Sequence, residues 1–211
     1  MNHKQRVIKV VAWSLSSISV LLAILAWGNS LDWHIFGAST YLLFPIFGLV
    51  AFSLLWSQYI TLALRYYYKL EPNSLSKYFV VTGYFILLAI LLHPGLLIWQ
   101  LWRDGQGLPP GGELHYVMPS LKFAIILGEI NLLILILFEL RRFFANKPWW
   151  RYATYLVDLV MLSIFYHGLR LGNQLHSGWY RIVWYLYGAT LLFALGYIYK
   201  QRFTQQIDSK R

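Results

Sequence analysis

The chain contains no cysteine in 211 residues, and only 12% of them are charged. The first absence excludes disulfides, thiolate zinc sites, iron–sulfur clusters and covalently attached c-type haem. Any metal centre must therefore be built from His, carboxylate, Met or Tyr. Also missing are a Walker-type or dinucleotide-binding glycine pattern and a Ser/His/Asp arrangement in a recognisable context. Internal repeats and low-complexity tracts are not evident, which leaves an inverted-repeat transporter without direct support.

What fills the chain instead is apolar: 58% of residues are hydrophobic, in runs too long for the helices of an ordinary soluble core. Six runs are read as helices, at about 7–27, 41–64, 77–101, 121–141, 149–171 and 179–199, and they leave no room for a soluble domain. The expected fold is an all-α integral membrane protein, a single transmembrane domain over 1–211 built as a six-helix bundle in contact with lipid. The first run is too long for a signal-peptide core and lacks a small-residue cleavage site, so it is read as a true span. Fourteen of the eighteen Lys and Arg residues fall in the N-terminus, the 65–77 and 141–151 loops and the C-terminal tail, against Arg103, Lys122, Arg170 and Arg181 on the other side. By the positive-inside rule both termini are expected in the cytoplasm, with a bacterial inner or plasma membrane as the location. The net charge of +10 is mostly this bias and does not argue for nucleic acid.

With that orientation the third and fifth spans run the same way, from inside to outside. His93 lies sixteen residues beyond Lys77 and His167 sixteen beyond Arg151, so the two imidazoles should share one depth, about 24 Å along their helices. Two imidazoles facing each other in a bundle core are what a b-type haem needs as axial ligands. A bland role also exists for His93, because Pro94 follows it and frees the Ile90 carbonyl that the histidine could satisfy. A second intramembrane histidine at matching depth favours a shared ligand over that role, since ionisable groups in lipid are uncommon and usually functional.

Around these residues the chain resembles a family. Leu91-Leu92-His93-Pro94, Trp150-Arg151-Tyr152-Ala153-Thr154-Tyr155 and Phe165-Tyr166-His167 are similar to helices three and five of the ferric reductase-like transmembrane domain superfamily. That superfamily includes the haem subunit of the bacterial methionine sulfoxide reductase system and the single-haem STEAP-type metalloreductases. The resemblance runs from about Gly37 to Leu171. It implies outer haem ligands at His93 and His167, whereas the inner ligand positions fall near Phe79 or Val80 and at Thr154, none of them histidine. One b-type haem towards the external face is therefore expected, without an inner one. The resemblance also implies a cytoplasmic flavin, FMN or FAD. Arg65, Arg141, Arg142, Trp150 and Arg151 are candidates to hold it, with ordinary interfacial anchoring as the alternative role.

Arg170, one turn beyond His167, is a candidate partner for a haem propionate, and Arg103 for the second. Trp99, Tyr166 and Gln174 are candidates for the pocket mouth. Glu129 and Asp158 lie within spans and are candidate proton-relay groups; nine residues place Asp158 about 180° from His167, towards the fourth or sixth span. The expected function is a membrane cytochrome that takes electrons from a cytoplasmic flavoprotein, flavin or quinol. Its external acceptor would be a metal ion, oxygen or a redox partner protein. No nicotinamide or flavin domain is recognisable in these residues, so the donor is expected to be a separate molecule. The rival class is a non-redox transporter or a haem-free scaffold or assembly subunit, with Glu129 and Asp158 as the working groups.

Overall fold

Hydrocarbon offers a backbone no hydrogen-bonding partner, so each long apolar run closes its own bonds as a helix. A computed structural model describes residues 3–37, 39–115, 117–139, 147, 150–176 and 178–208. Among these residues there is no strand, and six long helices carry the fold: α1 His3–Asn29, α2 Thr40–Tyr67, α3 Ser76–Arg103, α4 Lys122–Glu139, α5 Trp150–Leu171 and α6 Trp179–Asp208. Five segments are long and apolar enough to cross a membrane: His3–Asn29, Thr40–Tyr67, Pro72–Arg103, Pro119–Phe138 and Trp179–Thr204. The chain therefore has the make-up of a multi-pass membrane protein. Large side chains such as Leu21, Phe85, Leu88, Leu133, Leu186 and Phe193 point out of the bundle, where lipid would cover them. α1 begins four residues earlier than hydropathy suggests and α6 runs nine residues further. Hydropathy marks the apolar stretch, whereas backbone hydrogen bonding continues through the polar turns at either end.

Side-chain pairs fix the helix directions. Ser16 of α1 bonds Ser57 of α2 (2.9 Å), and Trp27 Nε1 donates to the Leu42 carbonyl (2.7 Å), so numbers rise on one helix as they fall on the other. The same crossing order joins α2 to α3, through His93 with Phe44 and Gln58 with Thr82. It joins α4 to α5, through His167 with Ala124 and Asn131 with Ser163. It also joins α2 to α5, through Phe52 with Phe165 and Tyr59 with Asp158. By contrast α6 runs parallel to α2, since Phe52 stacks on Trp184 and Trp56 donates to Thr190. Hence α1, α3 and α5 point one way and α2, α4 and α6 the other, with both ends of the described chain at one end of the bundle.

Between helices in lipid, close packing and shared hydrogen bonds replace the hydrophobic drive of water. Ser16, Ser57 and Tyr78 form a buried triangle of hydroxyls at 2.8–3.0 Å that joins α1, α2 and α3. On the other side of α2, Phe52, Trp56, Trp184 and Tyr187 stack into the main core with Met161 and Leu191. Two glycines there trade places with aromatics: a Cβ at Gly168 would lie 2.6 Å from Trp184, and one at Gly188 would lie 2.5 Å from Phe165. Each helix offers bare backbone to the other's ring, which draws α5 and α6 together.

Candidate functional site

α3 packs mainly against α2 and α5 mainly against α4, while α3 and α5 barely touch. The two histidines reach towards each other from these neighbouring parallel helices. Their ring centroids are 6.5 Å apart and their planes cross at 80°. Each ring is tied to the helix beside its own: His93 Nδ1 donates to the Phe44 carbonyl of α2 (2.9 Å), and His167 Nδ1 donates to the Ala124 carbonyl of α4 (2.7 Å). Because a carbonyl can only accept, both Nδ1 atoms carry a proton, which in a neutral ring leaves Nε2 as the lone-pair nitrogen. Neither Nε2 has a hydrogen-bond partner among the described residues.

The two halves of the site repeat one design. Ile90 and Ile164, each three residues before a histidine and one turn nearer the end that holds the termini, pack against both apolar clusters of the bundle. Gly48 lies four residues after Phe44, and Gly128 four after Ala124. A Cβ at Gly48 would come within 2.8 Å of the His93 ring, and one at Gly128 within 2.5 Å of the His167 ring. The Pro94-freed carbonyl of Ile90 is not the partner of His93; the bond goes across to α2.

A metal held by two imidazoles needs two bonds of about 2 Å and two nitrogen-to-centroid offsets of about 1.2 Å, which places the ring centroids about 6.4 Å apart. The observed separation of 6.5 Å matches that spacing, and two imidazoles with Nδ1 already engaged are a donor pair that would suit a haem iron. Among the described residues no group of three or more His, Asp or Glu could hold a metal ion, so a cation whose whole ligand set comes from such side chains has no site here.

The two intramembrane acids have partners that the sequence did not reveal. Asp158 accepts from Tyr59 of α2 (2.7 Å) and Tyr199 of α6 (2.7 Å), with Arg202 of α6 at 3.4 Å. Its face looks to α6, as the helix rotation implies, and also to α2. Glu129 of α4 lies beside Glu113, which sits on a single-turn helix, Gly112–His115, between α3 and α4. Glu113 is buried, and its Oε1 accepts the Gly111 N–H at 2.8 Å. Burial pushes the Glu113 carboxyl up, but that N–H, its own backbone N–H and the neighbouring Glu129 carboxyl together hold it below the usual range.

The other candidates lie further from the imidazoles. Arg170, Trp99 and Tyr166 are exposed; Trp99 packs on Trp102. Arg103 pairs with Asp104 at 3.7 Å on the surface, and Gln174 donates to Ser30 at the end of α1. At the opposite end Arg65 donates to the Pro72 carbonyl and covers the Tyr66 ring. Arg141 and Arg142 lie outside the described residues, as do the side chains of Trp150 and Arg151. The residues missed in the sequence are Phe44, Ala124, Gly48 and Gly128. The glycines were the available signal, each standing alone in the middle of an apolar run.

The chain matches no family model, no curated protein and no solved structure.

Proposed function

We propose that this protein is a membrane cytochrome of the ferric reductase-like type, holding one b-type haem between His93 and His167. The observation that carries the reading is the pair of imidazoles on parallel helices, 6.5 Å apart, with both Nδ1 atoms engaged by backbone. When bound, the haem supplies a one-electron carrier in the half of the bundle away from the termini. The protein's own part is to orient the two imidazoles through the Phe44 and Ala124 carbonyls.

In this reading α5 is the sixth span. Its 22 residues reach about 33 Å at about 1.5 Å per residue, and it lies among α2, α4 and α6. The charge bias puts the shared end of the termini in the cytoplasm, so the site lies towards the external face. Electrons arrive from a cytoplasmic flavoprotein, a bound FMN or FAD, or membrane quinol. They leave to an external metal ion, oxygen or a partner reductase. Arg65 and the basic rim around it form the surface on which a cytoplasmic donor docks.

The test is the visible spectrum of the detergent-purified protein before and after dithionite. The expected result is a reduced b-type spectrum at about one haem per chain, lost in His93→Ala and in His167→Ala. A colourless wild type from haem-replete cells overturns the reading.

A further inference from the structure

Resting on the haem reading above, the geometry points to Gly48 and Gly128 as positioning residues: with the Phe44 and Ala124 carbonyls they form two equivalent seats that lock the axial imidazoles in crossed planes.

The seat follows from helix geometry. A helical carbonyl at position i points along the axis towards residue i+4, whose N–H it accepts. A ring that donates to the carbonyl's remaining lone pair must therefore lie over residue i+4. Any Cβ there meets the ring, which is why both acceptors, Phe44 and Ala124, are followed four residues later by glycine. An alanine at Gly48 would place its Cβ 2.8 Å from Cε1 and 2.9 Å from Nδ1 of His93. At Gly128 the corresponding distances to His167 are 2.5 and 2.7 Å. Carbon and nitrogen atoms rest at about 3.5 Å or more, so the ring would have to leave its carbonyl. Fixing each ring from outside, on α2 for one and α4 for the other, leaves neither imidazole free to rotate. The 80° crossing is thus set by four backbone groups and not by the metal.

Not every mid-span glycine acts this way. Gly83 and Gly95 lie on α3 itself, and a Cβ at either meets nothing within 4 Å. They are matched controls on the helix that carries His93.

The experiment is electron paramagnetic resonance on the ferric, haem-loaded full-length protein. Crossed axial imidazoles leave two iron d orbitals nearly degenerate and give a highly anisotropic low-spin signal, whereas near-parallel rings give a rhombic one. The wild type is expected to show the anisotropic signal. Gly48→Ala and Gly128→Ala are each expected to lose it, to a rhombic signal or to high spin, with helical content unchanged. Gly83→Ala and Gly95→Ala are expected to keep it. A rhombic wild-type signal overturns the inference while leaving the cytochrome reading intact. Unchanged signals in Gly48→Ala and Gly128→Ala do the same. If those two variants fail to fold, the wild-type signal still decides the crossing, and nitrogen NMR of the imidazoles decides whether Nδ1 carries the proton. A wild type that takes up no haem overturns both readings together.

Discussion

Asp104 stands just past the end of α3, where Gln100 Nε2 donates to both of its carboxylate oxygens at 3.0 Å. Gln100 also bonds Thr40 at the start of α2, so the carboxylate anchors a link between two helix ends. The Gln100 amide first, and then the Tyr41 hydroxyl, hold the Asp104 carboxyl below its usual range. A carboxyl whose value is lowered by folding adds stability above its unfolded value of about 3.9, and that contribution is lost as pH falls through the lower folded value. Melting temperature measured from pH 5 to pH 2.5 should therefore drop more steeply in the wild type than in Asp104→Asn, which lacks the Asp104 contribution. Deeper in the bundle, Tyr78 bonds both Ser16 and Ser57. Tyr78→Phe removes two of the three bonds in that triangle and leaves the serines paired, at an expected cost of about 0.6–1.7 kcal/mol in unfolding experiments in detergent. A cost near zero would mean that the triangle does not join α1 to α3.

Among the helices, α5 is held at two levels. Near its start Asp158 is its polar latch, accepting from Tyr59 of α2 and Tyr199 of α6 with Arg202 alongside. Removing the carboxylate leaves two hydroxyls without their acceptor and a half-buried guanidinium without its counter-charge. Asp158→Ala should lower stability by about 2–3 kcal/mol, and Asp158→Asn, which keeps one oxygen acceptor, by less. Equal losses in the two variants would show that the latch works through packing alone. Further along, the Gly188 notch receives Phe165. Gly188→Ala should cost about 1–3 kcal/mol by overpacking, whereas Gly196→Ala on the same helix, which meets nothing within 4 Å, should be neutral or stabilising by up to about 1 kcal/mol.

For the whole molecule, the alternation of helix directions places both ends of the described chain together, with the 104–121 segment at the other end. The natural absence of cysteine makes this directly measurable. Single cysteines at Lys69 and Lys200 should react with an impermeant thiol reagent from one side of the membrane, and a cysteine at Gln106 from the other; all three positions are exposed. Labelling of Lys69→Cys and Gln106→Cys from the same side would rule out the topology and with it the parallel course of α3 and α5.

Hydropathy and charge are read along the chain, and they were sufficient for what is set along the chain. The helical segments, the expected common direction of α3 and α5 and the matched positions of His93 and His167 were all legible there, because span length and loop charge depend on a residue's own run and little else. Lateral neighbours were not legible. That Asp158 meets Tyr59, that Glu129 meets Glu113, and that each imidazole rests on a glycine of the adjacent helix depend on how each helix is rotated and which one lies beside it. Rotation and adjacency are decided by the summed packing of all the helices, including the exchange of glycine and aromatic at Gly168 and Gly188. The sequence by itself therefore determined which two rings stand at matching positions along two long apolar runs. Only the tertiary structure brought them to within 6.5 Å of each other, because that distance is a property of four helices packed together and of none of them alone.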